Sequence, residues 1–250
     1  MATRILQANL NRSAKAQDLL AQSLAEWQIG VGIIAEPYSV PPRDNWAGDL
    51  DRLAAIVTNS SAGPLPLHRV ERGHGYVAAW IGDTMVVGAY FSPNRSLAEF
   101  EQFLVEVGSV IGRNRPGKLL VAGDLNAKSK SWGSPATDVF GAELEEWATS
   151  TGLIVLNRGS SNTCVRQQGG SIVDVTFANA TLARCVRGWE VLEDVETLSD
   201  HRYIRFEIST LPANPSGLGR PWRENGPRWA IKRLDRDVFE EAAMTRKRRP

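Results

Sequence analysis

The sequence contains few of the residues that bind transition metals or cross-link small proteins: two of its 250 residues are cysteine and three are histidine. Cys164 and Cys185 have no second cysteine or histidine at zinc spacing, which excludes a zinc finger and a disulfide framework. A chain of this length buries about 73% of its unfolded surface, so its core needs neither kind of cross-link. Such sparse use of cysteine fits a reducing compartment.

Long hydrophobic runs are also absent. The longest apolar stretch, residues 76–91, is interrupted by Asp83, and no basic and then apolar leader begins the sequence. We therefore expect neither a membrane span nor a secretory signal, and no membrane partner.

The net charge of +1 at pH 7 conceals an uneven distribution. Residues 220–250 contain 10 basic and 5 acidic side chains, and residues 211–219 contain two prolines and two glycines, which is typical of a linker. We therefore predict a main domain, residues 1–210, followed by this linker and a basic tail, residues 220–250. A polyanionic partner would have to meet a local basic surface, because local potential rather than net charge attracts a charged ligand.

Three segments have the periodicity of amphipathic helices. The first begins after Ser13, a good N-cap residue, and is expected to end at Gly30. The second begins after Ser96, which has a glutamate three residues later and so forms a capping box. The third begins near Asp138 and is expected to end at Gly152.

Short apolar runs predict more strands than helices. The predicted strands are residues 3–9, 31–35, 54–58, 76–81, 85–90, 118–122, 171–177, 186–192 and 203–208. Many strands with only three long helices indicate an α/β protein in which two sheets pack face to face and the helices lie outside.

Acidic and amide residues lie within or just after several of these runs. They are Asn9, Glu36, Asp124, Asn126, Asp174, Asp200 and His201. Ligands in α/β proteins gather at strand ends, so we expect these side chains to converge on one edge. Such an oxygen-rich set without thiolates suits a hard divalent cation such as Mg2+, and zinc is disfavoured. With an oriented histidine beside the cation, the set predicts cleavage of a phosphate ester.

Each of these residues also has a purely structural interpretation. A single aspartate or asparagine at a strand end is most often a turn or cap residue, Glu36 could pair with an arginine, and His201 could be a structural histidine. Asp174 is different, because a carboxylate among apolar neighbours is costly to bury without a partner. The prediction therefore depends on the whole set.

Six sequence blocks that contain these residues resemble a known family. In order they are Q-A-N-L-N, A-E-P-Y, A-Y-F-S-P-N, G-D-L-N-A-K-S-K-S-W-G-S, S-I-V-D and S-D-H. Their order is similar to that of the endonuclease/exonuclease/phosphatase superfamily, whose fold is a four-layer α/β sandwich of two packed mixed β-sheets flanked by helices. The resemblance covers about residues 3 to 208. The pair Trp132-Gly133 resembles the apurinic-endonuclease-like domains of non-LTR (LINE-type) retrotransposons, in particular site-specific insect elements.

The resemblance implies a role for each residue of the set. Asn9 and Glu36 would lie at a Mg2+ ion, for which Mn2+ could substitute, with Glu36 as the direct ligand and Asp200 on the metal side. Asp124 would position or deprotonate the attacking water, or protonate the leaving 3' oxygen. Asn126 would bind the scissile phosphate.

Two further parts of the site follow from the same resemblance. His201, oriented by Asp174, would contact a phosphate oxygen. Tyr90 is a candidate catalytic residue, but repair enzymes of the superfamily have Tyr-x-Pro-Asn, whereas two residues separate Tyr90 from Pro93 here, so its contact with the phosphate stays open. The expected DNA contacts are Asn11, Thr163, Arg166, Gln167, Gln168 and Ser171.

The stretch between Thr163 and Ser171 is expected to form a hairpin beside the site. The pair Gly169-Gly170 between two strand-like runs is a turn signal, and Arg166, with the two glutamines that follow it, could enter a minor groove. We expect this hairpin to influence the choice of target.

The function implied by the resemblance is a Mg2+-dependent endonuclease. It would nick one strand of double-stranded DNA in the nucleus and leave a 3' hydroxyl that primes a reverse transcriptase region in the same polyprotein. Two alternatives stay open: a phosphatase or phosphodiesterase of the same superfamily that acts on a lipid or inositol phosphate, and a catalytically silent DNA-binding module.

Overall fold

The computed structural model describes residues 2–59 and 65–209. The strands are β1 (Ala2–Asn9), β2 (Val31–Ala35), β3 (Trp46–Gly48), β4 (Ala54–Thr58), β5 (Leu67–Arg72), β6 (Tyr76–Ile81), β7 (Thr84–Tyr90), β8 (Lys118–Asp124), β9 (Leu153–Val155), β10 (Cys164–Arg166), β11 (Gly169–Ser171), β12 (Asp174–Asn179), β13 (Val186–Val191) and β14 (Ile204–Ser209). The helices are α1 (Ala14–Glu26), α2 (Leu97–Asn114), α3 (Val139–Ser150) and α4 (Ala180–Ala183). The predicted linker and basic tail lie outside the described residues.

The strands form two six-stranded mixed sheets and a separate hairpin. Sheet 1 has the order β13-β14-β1-β2-β4-β3, and sheet 2 has the order β5-β6-β7-β8-β12-β9. The pairs β1–β2 and β7–β8 are parallel, and the other pairs are antiparallel. The hairpin consists of β10 and β11.

Three apolar clusters divide the domain into four layers. Ile33 of sheet 1 and Leu120 of sheet 2 belong to the core between the sheets. Leu20 of α1 packs in a cluster on the outer face of sheet 1, while Phe103 of α2 and Leu144 of α3 pack on the outer face of sheet 2. Burial of each such side chain contributes about 1.5–3 kcal/mol. The predicted four-layer α/β sandwich is therefore confirmed.

Local sequence signals determine where the helices begin and end. Ser13 and Ser96 accept hydrogen bonds from the first turns of α1 and α2, and Ser96 forms the predicted capping box. Asp138 caps α3. The prediction that α1 ends at Gly30 is wrong, because the helix ends at Glu26 and the chain turns at Gln28, whose φ is 52°.

One predicted strand is also wrong. Residues 171–177 are divided between the end of β11 and the start of β12, because the N–H groups of Val173 and Asp174 bond to the Thr163 hydroxyl and leave the ladder. The short strands β3, β5 and β9 have no counterpart in the prediction, whereas β10 belongs to the predicted hairpin. None of the helices in the described part of the chain is long and apolar enough to cross a membrane.

Polar groups join the two sheets at one edge of the sandwich. The Gln7 amide of β1 donates to the Gly123 carbonyl at 3.2 Å and accepts from the Thr176 hydroxyl at 2.8 Å. In the ladders Asn9 lies opposite the last residue of β2, and Asp124 lies opposite Asp174. The ends of β1, β2 and β8 and the start of β12 therefore meet at this edge.

Candidate active site

A buried carboxylate and imidazole form the centre of the site. Asp174, the first residue of β12, accepts a hydrogen bond from His201, and its Oδ2 lies 2.8 Å from Nδ1. Both side chains are less than 5% exposed. Because Nδ1 is engaged by the carboxylate, Nε2 is the imidazole nitrogen that remains for another group. His201 is therefore the partner that the buried carboxylate of Asp174 requires.

The carboxylate determines the charge of His201. Burial alone would lower the pKa of His201, but the charge of Asp174 and its hydrogen bond outweigh burial and raise the pKa to about 12. The imidazole is therefore protonated at neutral pH and presents a positive charge at Nε2.

Asp124 lies on the other side of this nitrogen. Its Oδ2 lies 3.8 Å from His201 Nε2 and accepts a 2.8 Å hydrogen bond from Asn9, and its Oδ1 accepts from the N–H of Asn126 at 3.0 Å. Burial and the charge of Asp174 raise the pKa of Asp124 to about 7, although His201 acts in the opposite direction. A carboxyl group with this pKa is suited to proton transfer near neutral pH.

Asn126 has a left-handed backbone, with a φ of 49°, immediately after β8. Its Nδ2 donates to the Phe91 carbonyl at 3.0 Å, which fixes the amide plane. Asn126 lines the same cleft as His201. The two side chains are thus brought together at one cleft, as convergence at a strand edge requires.

Glu36 provides a second acidic position at this edge. It follows β2 with a φ of 45°, and its N–H donates to the Leu53 carbonyl at 2.8 Å. Its Oε2 accepts from Asn9 at 3.3 Å, and Oε1 lies 3.8 Å from Arg12 Nε. The arginine pairing expected from the structural interpretation is therefore present, but Asn9 also links Glu36 to the catalytic centre.

The donor set around Glu36 fits a hard cation. The carboxylate of Glu36 supplies oxygen atoms, and Mg2+ usually takes one or two carboxylates and keeps several waters. The Asn9 amide turns its Nδ2 toward Glu36, while its oxygen accepts from the N–H of Asn11 at 2.8 Å. Asp124, whose Oδ2 accepts from the same Asn9 Nδ2 group that donates to Glu36, is a second carboxylate at this edge. The residues present therefore fit a divalent cation at this edge.

Both carboxylate oxygens of Asp200 accept hydrogen bonds from other side chains. Its Oδ1 accepts from Asn11 at 3.2 Å, and its Oδ2 accepts from Arg166 Nε at 2.7 Å. Despite partial burial, the Arg166 hydrogen bond and the charge of His201 lower the pKa of Asp200. Each oxygen of Asp200 thus has a side-chain donor in this structure.

The predicted hairpin is present, but its turn is not where the glycines indicate. Gln167 and Gln168 form the exposed turn, and Gly169-Gly170 belongs to β11. The hairpin is attached to the segment that contains His201, because the N–H of Val165 donates to the Asp200 carbonyl at 2.7 Å. A second bond runs from the N–H of residue 202 to the carbonyl of residue 163, also at 2.7 Å.

Two residues predicted to contact DNA have different environments. Thr163 is completely buried, and its hydroxyl accepts from two backbone N–H groups at the start of β12. The prediction that Thr163 contacts DNA is therefore wrong, and its role is to support Asp174. Ser171 is partly exposed and lines the cleft.

Tyr90 is the last residue of β7 and lies opposite Asp124 in the ladder. Burial and the neighbouring Glu36 carboxylate raise the pKa of Tyr90, so the phenol keeps its proton at neutral pH. Its contact with a phosphate remains a prediction.

A cleft of about 360 Å³ runs between the hairpin and the loops after β7 and β8. Its lining includes Phe91, Asn126, Lys128, Phe140, Ser171 and His201. The sequence analysis missed Lys128 and Phe140. Lys128 stands two residues after Asn126 in the longest of the six sequence blocks, which is the signal that could have identified it.

Comparison with known proteins finds similarity to endonucleases of retrotransposons. The family model described as endonuclease-reverse transcriptase matches residues 84–205. Among solved structures, the endonuclease domain of TRAS1, a telomere-specific non-LTR retrotransposon, is 28% identical with a TM-score of 0.69 and covers 84% of this chain and 99% of its own. No curated protein sequence matches the chain.

Two more distant structures share the fold. A 3'-5' exonuclease from Neisseria meningitidis is 16% identical, with a TM-score of 0.63, and the match covers 83% of this chain and 100% of the exonuclease. An AP endonuclease from Archaeoglobus fulgidus is 14% identical, with a TM-score of 0.64, and the match covers 82% of this chain and 98% of that enzyme. The chain therefore has the fold of these nucleases, and it is similar to the endonuclease-reverse transcriptase family over residues 84–205 and to the endonuclease domain of the TRAS1 retrotransposon.

Proposed function

We propose that this chain is a Mg2+-dependent endonuclease that nicks one strand of duplex DNA and leaves a 3' hydroxyl. The observation that carries the proposal is the buried Asp174–His201 pair, which directs a protonated Nε2 toward Asp124 beside the cleft. The similarity to the TRAS1 endonuclease domain supports DNA as the substrate.

The side chains divide the reaction between them. The protonated His201 binds a non-bridging oxygen of the scissile phosphate, and Asp174 keeps the ring oriented and charged. The amide of Asn126, which lines the same cleft, positions the same phosphate. In this arrangement the His201 imidazolium and the Asn126 amide are already positioned to stabilise the negative charge that develops on the phosphate.

Asp124 moves the proton. As a carboxylate, it accepts a proton from the attacking water while the water oxygen bonds to phosphorus. The bond between phosphorus and the 3' oxygen breaks, and the 3' oxygen leaves with the bonding electrons and takes up a proton from solvent. Asn9 orients Asp124 through its 2.8 Å hydrogen bond.

Glu36, with Asn9 beside it, would bind the divalent cation. When bound, Mg2+ or Mn2+ neutralises charge on the phosphate and on the leaving oxygen. Glu36 itself keeps this position through its backbone bond to Leu53.

The proposed biological setting rests on the similarity to retrotransposon endonucleases. We propose that the 3' hydroxyl primes reverse transcription by a reverse transcriptase region of the same polyprotein, on a DNA target in the nucleus. The insect origin and the fixed insertion site indicated by the sequence blocks belong to the same proposal.

Incubation with supercoiled plasmid tests the function. The expected result is conversion to nicked circles with Mg2+ and no conversion in excess chelator. Parallel incubation with inositol phosphates should release no phosphate. Full nicking in chelator, or phosphate release without nicking, would contradict the proposal. Binding of the plasmid without any nicking would instead identify a silent DNA-binding module.

A further inference from the structure

A basic surface lies outside the cleft that contains His201. A depression of about 340 Å³ is lined by Arg43, Arg52 and Arg72, which are all exposed, and we call these three residues the arginine surface. Arg72 Nε donates to the Gly48 carbonyl at 2.9 Å. Within residues 2–59 and 65–209, none of the three forms an ion pair with a carboxylate.

The nearby carboxylates do not neutralise these charges. Asp49 is buried, and its two oxygens accept four backbone N–H groups, those of Asp51, Leu53, Ala54 and Gly75. Asp44, which is exposed, is the other carboxylate at the depression. Three guanidinium groups therefore line the depression with two carboxylates, which leaves one excess positive charge, and the backbone bonds hold the carboxylate of Asp49 away from an ion pair with the arginines.

Strand order relates the arginine surface to the active site. In sheet 1 the order β14-β1-β2-β4 places the segment before β14, then Asn9, then Glu36, then Arg52 along the same edge. The N–H of Glu36 bonds to the carbonyl of Leu53, so Arg52 is one strand away from Glu36. Neighbouring strands are about 4.8 Å apart, so three intervals place Arg52 roughly 14 Å from the His201 segment.

We propose that the arginine surface binds backbone phosphates of the DNA duplex beside the nicked position, on the side away from the β10–β11 hairpin. The inference rests on the proposed function. Arginine presents a planar fork of donors that matches phosphate oxygens, and an excess of positive charge at an edge continuous with the catalytic centre suits a polyanion that crosses it. The rise of about 3.4 Å per nucleotide makes 14 Å equal to roughly four nucleotides.

The test compares a double variant of the arginine surface with a control variant elsewhere on the protein. Arg52 has a φ of 58°, so Arg52→Asn removes the charge with a residue that tolerates left-handed backbone, and Arg43→Gln completes the double variant. Arg113→Gln is the matched control, because Arg113 is an exposed arginine of α2 that pairs with Glu71. Duplex affinity is measured in chelator over a salt series.

Two lost phosphate contacts should reduce the slope of log affinity against log salt by about 1.8, and the control should keep the wild-type slope. In the nicking assay, the loss should fall on KM rather than on kcat. A neutral methylphosphonate placed about four nucleotides from the nick should weaken wild-type binding and leave the double variant unchanged.

The outcomes separate this inference from the proposed function. Wild-type nicking combined with an unchanged slope in the double variant would overturn the arginine surface alone, as would an equal loss in the Arg113→Gln control. A reduced slope together with a wild-type protein that binds but does not nick would overturn the proposed function and support the surface.

Discussion

Replacement of Asp174 by asparagine perturbs the charge of the catalytic histidine while it keeps the size of the side chain. The Asp174–His201 contact is 2.8 Å long and almost fully buried. At an effective dielectric constant of about 20, a charge pair at this distance is worth about 6 kcal/mol. Loss of the charge should therefore lower the pKa of His201 by about four pH units from its value of about 12.

The change should affect both the rate and its pH dependence. His201 must be protonated to bind the phosphate, and in Asp174→Asn it stays mostly protonated at neutral pH. The rate at neutral pH should therefore fall because the ring loses its fixed orientation, by roughly 10²-fold, and it should decline further as the pH rises through the lowered pKa of His201. In the wild type this alkaline decline lies near pH 12 and is not seen in the neutral range. The nicking rates of Asp174→Asn across neutral and alkaline pH measure the shift in the pKa of His201.

Asp83→Asn provides the control for this prediction. Asp83 is an exposed aspartate that pairs with Lys118 at 2.7 Å, so the same chemical change there should leave both the rate and the pH profile at the wild-type values. Thermal unfolding verifies that both variants fold. A near-normal rate for Asp174→Asn, or a pH profile identical to that of the wild type, would refute the assigned role of the pair.

Three further predictions concern the proton acceptor and the hairpin. Because Asp124 must be deprotonated, kcat/KM should rise with pH through about 7 and then level off, and a flat profile there would contradict its role as base. Since Arg166 and Asp200 form a 2.7 Å ion pair, Arg166→Ala and Asp200→Asn should lower the nicking rate non-additively, whereas strict additivity would show that the two side chains act independently. Replacement of Gln167 and Gln168 by serine should spread cleavage over more sites on a long duplex while Mg2+-dependent nicking persists, and an unchanged cleavage ladder would count against target reading by the hairpin.

Much of the fold is encoded locally, which is why sequence patterns predict it. Strands 31–35, 54–58 and 76–81 coincide with the observed bounds, since each is a nearly continuous buried apolar run. Ser96 caps α2 as its spacing with a glutamate indicates. Strands such as β5 and β9 escaped prediction because they are short or alternate irregularly between buried and exposed residues, and tertiary pairing stabilises them.

The site is predictable only in part, for a related reason. The residue types at strand ends indicate a convergent acidic centre, and Asp174 is singled out by its apolar neighbours. The partners that arise from long-range contacts could not be derived from spacing. Thr163 supports the backbone of Asp174, and Arg166 turns back to Asp200, because the hairpin is fixed to the His201 segment by backbone bonds.

The chemistry of the cleaved end tests the central claim most directly. A duplex labelled at the 5' end of the nicked strand is incubated with wild-type protein and Mg2+, and the product is offered to a DNA polymerase without any other treatment. The account predicts that the labelled fragment is extended at once, because cleavage between phosphorus and the 3' oxygen leaves a 3' hydroxyl. A fragment that is extended only after removal of a 3' phosphate, or the same fragment formed at an equal rate by His201→Ala, would contradict it.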